Sequence, residues 1–407
     1  MSEQNTQPEH LWFETPLVYS SHISQTIGHS VYLKLENLQP SQSFKYRGVT
    51  HFAQHAKAQH GPSVHFVIAS SGNAGVAAAM AARALEVRCT VYLPEGVGQE
   101  THNLLRKHGA DIIIAGERYS QALQKLREDM KNDPTAVLLP TYDDPLVWEG
   151  HGSMVLEIKA QLSKKPDAIF CSLGGGGLLG GIIHGCKQVD WEDETKLRSH
   201  VQVPIITMET HGSNCFYHSI ALNTQNFTAA SSGPDDIAAR TTNAPYDIVH
   251  DKQHDVLLAC MHELTSLATS LGATSPSAGV VRMALNRPGG LKCVCVPDEM
   301  SMWAAKTFAE DHKFLVELAC STPLTAAYNR DLFSRLVPGT PTSLSEASSP
   351  DQKRENTNEK KTIVFIVCGG VKISLDEMKE YRKLEAAVEK NREWEVVCDG
   401  EKMHVSK

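Results

Sequence analysis

From Val64 onward, short runs of β-branched and apolar residues alternate with longer amphipathic stretches rich in alanine. Residues 64–69, 89–93, 111–115 and 136–139 predict strands, and residues 74–85, 99–108 and 118–130, with apolar positions at helical spacing, predict helices. The alternation continues with a helix over 146–162, a strand over 168–173, a helix over 178–187 and a strand over 204–208. Near the end come a strand over 362–367 and a helix over 375–388. Repeated strand–helix units of this length build a parallel sheet covered on both faces. Two stretches break the pattern. Residues 223–250 read as a long irregular loop, and residues 338–361, rich in Pro, Ser, Thr, Glu and Lys, read as a disordered insertion.

Ahead of this ladder, the strand-like Val31-Tyr32-Leu33-Lys34-Leu35 is followed by Pro40-Ser41-Gln42-Ser43-Phe44-Lys45-Tyr46-Arg47-Gly48. Val49, Phe52, Ala53 and Ala56 share one helical face with Lys45 a turn earlier, and Ser43 is the expected N-cap. That places Lys45 in the first turn of a helix, where the dipole's positive end disfavours a second positive charge. A depressed lysine pKa yields the neutral amine that a Schiff base needs. On this stretch alone, a solvated loop lysine reads equally well.

Composition narrows the function classes. The 407 residues allow about two domains, and 41% hydrophobic with 21% charged residues describes an ordinary globular chain. With 39 Lys+Arg against 47 Asp+Glu the net charge is −8, and no basic stripe points to nucleic acid or an anionic membrane. The polar first ten residues are unlike a secretory signal, and the apolar runs are too short to span a bilayer. Ten cysteines without a CxxC pair predict reduced thiols and a cytoplasmic protein, with Cys293 and Cys295 in the core.

Three strand-to-helix junctions carry candidate chemistry. Ser70-Ser71-Gly72-Asn73-Ala74-Gly75 offers hydroxyls and backbone N–H groups to one point, suited to a carboxylate or phosphate, or serves only as a tight turn. Cys171-Ser172-Leu173-Gly174-Gly175-Gly176-Gly177-Leu178-Leu179-Gly180-Gly181 contains four consecutive glycines, a conformational cost that close approach of backbone to a phosphate explains. Gly175, Gly177 and Gly180 also fit a dinucleotide fingerprint with Glu209 as ribose ligand, which would leave Lys45 and the serine turn without a role. Glu209 ends a strand in Met208-Glu209-Thr210-His211-Gly212-Ser213, and Val367-Cys368-Gly369-Gly370 ends the last one on the same edge. A solvated acid and a buried small hydrophobe are the plain readings of Glu209 and Cys368.

As a set, Ser43-Phe44-Lys45-x-Arg47-Gly48, Ser70-Ser71-Gly72-Asn73, the glycine run and Cys368-Gly369-Gly370 resemble the signature of fold type II pyridoxal-phosphate enzymes, the tryptophan synthase β family. The likeness is closest to the L-serine/L-threonine dehydratases, or ammonia-lyases. Thr15-Pro16-Leu17, Leu35-Glu36-Asn37 and Val316-Glu317-Leu318-Ala319-Cys320 extend it over most of residues 11–220 and 255–390. It implies two doubly wound open-sheet α/β domains. The large one comprises residues 1–40 and 147–407, and the small one, residues 41–146, carries Lys45 and the serine turn.

The resemblance also implies pyridoxal 5'-phosphate bound covalently through Lys45. Its phosphate would lie on Gly174, Gly175, Gly176, Gly177 and Leu178, with Phe44 against the ring, Asn73 on the phenolic oxygen and Cys368 beside the pyridine nitrogen. Ser70, Gly72 and Ala74 would hold the substrate carboxylate, and Ser71 would be a second acid/base opposite Lys45. A monovalent cation, potassium by resemblance, would take ligands from Gly174, Glu209, Ser213, Leu271 and Ala273, with Cys215 nearby. Relatives are commonly homodimers. Two positions depart from the pattern: Ala74 stands where racemases often have histidine, and Val371-Lys372 replace a common Ser/Ala-Asn. The implied reaction is β-elimination of L-serine or L-threonine to a 2-oxo acid and ammonia. Serine racemisation and β-replacement use the same parts, and an NAD-dependent oxidoreductase is the alternative from another class.

Overall fold

The computed structural model describes residues 10–191, 202–224, 244–287, 290–340, 360–387 and 392–407. Strand β1 (Leu17–Tyr19), helix α1 (Ser21–Ile27) and strand β2 (Ser30–Leu35) come first, with β1 antiparallel to β2. Helix α2 (Lys45–His60) then opens the alternation β3 (His65–Ala69), α3 (Asn73–Ala84), β4 (Arg88–Leu93), α4 (Gln99–Lys107), β5 (Asp111–Ile114), α5 (Tyr119–Met130) and β6 (Ala136–Leu138). These four strands form an all-parallel sheet in the order β5-β4-β3-β6. All five residues of β3 are buried, as expected of a central strand with helices on both faces.

Helix α6 (Pro145–Gln161) starts on Asp144, whose carboxylate accepts the Leu146 N–H, with proline in the first turn. It leads to β7 (Ala168–Ser172), α7 (Gly177–Gln188), β8 (Ile205–Thr210) and α8 (Cys215–Asn223). Strands β9 (Tyr246–Asp251) and β10 (Val256–Met261) pair as a separate hairpin. Strands β11 (Leu291–Val296), β12 (Thr362–Val367), β13 (Glu393–Cys398) and β14 (Glu401–Ser406) complete a second sheet of order β1-β2-β12-β7-β8-β11-β13-β14. Its five central strands are parallel, and β1, β13 and β14 add antiparallel edges. Among the described residues no helix is long and apolar enough to cross a membrane.

Two features draw α2 against α6. At the crossing, a Cβ on Gly150 would lie 2.8 Å from the Gly48 Cα, so side chains there would force the helices apart. One turn away, the fully buried Arg47 guanidinium donates to Glu36 Oε2 (2.7 Å) and Oε1 (2.8 Å) and to Glu157 Oε1 (2.6 Å) and Oε2 (2.7 Å). Lys34 Nζ reaches Glu157 Oε2 at 2.5 Å, so two cations and two carboxylates join the end of β2 to both helices.

The expected ladder is present, with three differences. The large sheet is mixed at its edges. Residues 246–250, assigned above to a loop, belong to β9, because pairing with β10 gives the backbone partners that its alternating exposure leaves without a core. Ser43 is not the N-cap of α2: Phe44 occupies that position in helical conformation, and the Ser43 carbonyl accepts the Tyr46 N–H. The Gly48 N–H is taken by the buried His151 Nδ1 at 3.1 Å. The bulk of the expected 338–361 insertion lies outside the described residues, as do residues 225–243 of the expected 223–250 loop.

Candidate active site

The site gathers at the C-terminal ends of parallel strands, where loops leading into helices leave a crevice. Strands β12 and β7 are neighbours, so Cys368, just after β12, and the glycine run, just after β7, share one edge. The turn after β3 faces them from the small sheet, and all three line a cavity of about 280 Å³ with Lys45.

Lys45 is the first residue of α2. Its Nζ donates to the Thr141 carbonyl at 2.5 Å and lies 5.3 Å from the Phe44 ring centre and 5.9 Å from that of Tyr142. Burial lowers its pKa from 10.5 to about 8, while the neighbouring Cys368 works in the opposite direction. The expectation of a depressed lysine therefore holds, with desolvation as its main cause.

In the serine turn, Ser70 Oγ accepts the N–H groups of Gly72 (3.4 Å) and Gly75 (3.2 Å). Gly72 caps α3, and the N–H groups of Asn73 and Ala74 open that helix with no acceptor among the described residues. Asn73 Oδ1 accepts the Val371 N–H (2.9 Å), and its Nδ2 donates to Glu317 Oε1 (3.2 Å) and Oε2 (3.3 Å). Ser71 and Ala74 line the cavity.

The glycine run closes the opposite wall. Gly176 has φ +101°, a conformation that disfavours any side chain, and a Cβ on Gly175 would meet the Tyr142 ring at 2.7 Å. The N–H groups of Gly174, Gly175 and Gly176 find no acceptor among the described residues, and α7 begins at Gly177. Leu178 also lines the cavity. Unclaimed N–H groups at a helix start form an anion cradle.

Cys368 Sγ accepts from Ser172 Oγ at 3.3 Å, and the Cys368 carbonyl accepts the Phe44 N–H at 3.0 Å. The Gly370 N–H donates to the Gln42 carbonyl at 2.7 Å. The Cys-Gly-Gly turn is thus laced to the segment that enters α2, and it helps to set the direction of Lys45.

Two charged residues in the cavity were given no role from the sequence: Glu317 and Lys372. Glu317 is buried, accepts from Asn73 and from the Lys372 N–H (2.6 Å), and has a pKa raised by burial. Its only signal was its place in a resembling segment, which names no role.

The expected cation ligands divide. Gly174, Leu271 and Ala273 line the cavity, and Cys215 Sγ stands 4.0 Å from the Gly174 carbonyl. Glu209 is buried and accepts the Phe216 (3.2 Å) and Tyr217 (2.8 Å) N–H groups at the start of α8, and burial raises its pKa well above 4.5. Ser213 Oγ is buried with no hydrogen-bond partner among the described residues. Among the described residues no group of three or more His, Cys, Asp or Glu could hold a metal ion.

A family model described as pyridoxal-phosphate dependent enzyme matches residues 9–369, which takes in Lys45, the serine turn, the glycine run and Cys368. The chain belongs to that family. It is 35% identical to the L-serine dehydratase/L-threonine deaminase of Mus musculus over 371 residues, covering 91% of this chain and 95% of that protein. It is 34% identical to a serine dehydratase-like protein of Homo sapiens, covering 90% and 92%. Among solved structures, a fungal L-serine ammonia-lyase from Rhizomucor miehei superposes with a TM-score of 0.72 at 30% identity, over 92% of this chain and 99% of that one. The fold is therefore fold type II, and the nicotinamide alternative for the glycine run is set aside.

The residues present fit a pyridoxal-phosphate enzyme: an anion cradle at the glycine run and an amine of depressed pKa face one cavity. Only the neutral amine is a nucleophile, and lowering the pKa to about 8 makes it available nearer neutrality. Below that value the protonated fraction dominates, so cofactor loading onto the apoprotein should slow about tenfold per pH unit. Absorbance of bound cofactor against pH checks this, and a rate unchanged across that range would contradict it.

Proposed function

We propose that this chain catalyses β-elimination of L-serine and L-threonine, releasing pyruvate or 2-oxobutanoate with ammonia. The observation that carries the reading is the meeting, in one cavity, of a buried lysine of depressed pKa and two separate sets of unclaimed backbone N–H groups. The dehydratase names of relatives that this chain spans almost end to end support the same choice.

In this reading Gly174, Gly175, Gly176 and Gly177, with Leu178 beside them, would hold the cofactor phosphate, Phe44 its ring, Asn73 its phenolic oxygen and the Cys368 thiol its pyridine nitrogen; all of them line the cavity. When bound, pyridoxal phosphate supplies an electron sink for charge developing at the substrate Cα. Ser70, Gly72 and Ala74 orient the substrate carboxylate at the positive end of α3. Lys45 Nζ, as the free amine, would take the Cα proton as general base. The β-hydroxyl would leave with a proton as water, and the released enamine would hydrolyse to the 2-oxo acid and ammonia.

Ser71 lines the cavity as the candidate second acid/base, and Ala74 brings it no imidazole. A free hydroxyl is a weak base without such help, so elimination dominates over racemisation. Incubation with L-serine, D-serine and L-threonine, following 2-oxo acid and chirality, tests the reading. Pyruvate from L-serine is expected, and racemisation without a 2-oxo acid would overturn it. Ser71→Ala should abolish activity on D-serine and spare the L reaction, and undiminished D-serine turnover would reject the role of Ser71.

Three further assignments belong here. The four-stranded sheet lies within residues 41–146 and the eight-stranded one within 1–40 and 147–407, which supports that division into small and large domains. A monovalent cation bound among Gly174, Glu209, Ser213, Leu271 and Ala273, beside Cys215, is supported by the orphaned Ser213 hydroxyl and the buried Glu209 carboxylate. Activity indifferent to exchanging potassium for a bulky organic cation would remove it. All ten cysteines are free thiols, which supports a reducing, cytoplasmic location.

A further inference from the structure

Lys372 follows the Cys368-Gly369-Gly370 turn, and its side chain lines the cavity. Its Cε and Nζ lie 3.3 and 3.5 Å from the point that a Cβ on Gly72 would occupy, so the ammonium rests against the serine turn. The Lys372 N–H is bonded to Glu317 Oε1, which anchors the root of the side chain. Among the described residues its Nζ forms no ion pair. Glu317 is near enough for the two charges to interact, but its oxygens are already engaged by Asn73 Nδ2 and by the Lys372 backbone.

A lysine directed into a partly enclosed cavity without a carboxylate partner is suited to an anionic ligand. The groups beside it are the unclaimed N–H groups of Asn73 and Ala74 at the start of α3. The phosphate cradle has other neighbours: the atoms nearest to Cβ positions on Gly174, Gly175 and Gly176 belong to Leu271, Tyr142 and Val280, whereas those nearest to Gly72 belong to Lys372. The charge therefore faces the substrate end of the cavity, at a position where the resembling sequences often carry asparagine.

We infer that Lys372 is a substrate-binding residue whose ammonium pairs with the α-carboxylate of the amino acid held at the serine turn. This rests on the reading of that turn given above. The pairing adds a charge-assisted contact to the backbone N–H groups and makes substrate affinity sensitive to salt. It acts on binding: Lys372→Met should raise KM for L-serine about tenfold or more, with a much smaller change in kcat.

The test is calorimetric titration of the pyridoxal-phosphate-loaded protein with L-alanine, which has no β-leaving group, and with L-alaninamide, which lacks the carboxylate charge. Lys372→Met should weaken L-alanine about tenfold or more and change L-alaninamide by less than about twofold, while Lys372→Arg keeps most of the L-alanine affinity. Equal weakening of both ligands would assign Lys372 a structural role through Glu317 and overturn the inference, as would no change in either. Turnover of L-serine by the wild type, measured alongside, reports on elimination separately. Its absence would defeat that reading, while the two titrations would still decide the carboxylate contact.

Discussion

Lys45→Ala should lower L-serine turnover by about a thousandfold or more, because one side chain serves both as covalent anchor and as general base. The fold should survive, since among the described residues the Lys45 ammonium makes a single hydrogen bond, to the Thr141 carbonyl. Lys45→Arg should fail as completely, because a guanidinium stays charged and cannot act as a nucleophile at accessible pH. Steady-state pyruvate release together with far-ultraviolet circular dichroism checks both variants. Turnover within about tenfold of wild type in a folded Lys45→Ala protein would remove Lys45 from the chemistry.

Arg47→Met should cost about 3–5 kcal/mol of unfolding free energy, because it takes from the buried Glu36 its ion-pair partner, leaving only the Thr15 and Gln39 donors, and leaves Lys34 as the cation beside Glu157. Arg47 and Glu36 are fully buried, so water cannot replace the lost partner. Urea denaturation of the loaded protein measures the loss, and a change below about 1 kcal/mol would show that the cluster contributes little. The same cluster sets an acid limit. Burial would raise the Glu157 pKa, but hydrogen bonds and charge from Arg47 and then Lys34 hold it below 4.5. A carboxylate depressed in the folded state stabilises at pH values above its unfolded value, and that contribution disappears as pH falls through the folded one. Because Arg47 lies two residues beyond Lys45, the variant should also misdirect the lysine and lower cofactor occupancy.

The ladder from β3 to α7 was legible because each element carries its own periodicity, and each helix returns the chain to a parallel strand. The same local rule hid β9, whose alternating exposure carries little burial signal and whose partner is the following strand. The β13–β14 hairpin did have a local signal that went unread. Asp399-Gly400 stands between two alternating runs, with φ +47° and +90° at the turn. Within the site, Lys45, the serine turn and the glycine run were legible because each occupies a strand-to-helix junction with an unusual composition. Glu317 and Lys372 were not, because they reach the cavity by tertiary folding, and neither residue type is unusual in its own segment. The Ser43 cap failed because the entry to α2 is held from outside, by Cys368, Gly370 and His151, whose proximity only the folded chain establishes.

The central claim is that this cavity uses Lys45 to carry pyridoxal phosphate for amino-acid elimination. Borohydride reduction of the loaded protein, followed by proteolysis and mass spectrometry, tests it most directly. The account predicts a single pyridoxyl-modified peptide with the mass on Lys45, lost in parallel with pyruvate release from L-serine. Modification of Lys372 or any other lysine, with Lys45 left unmodified, would contradict it.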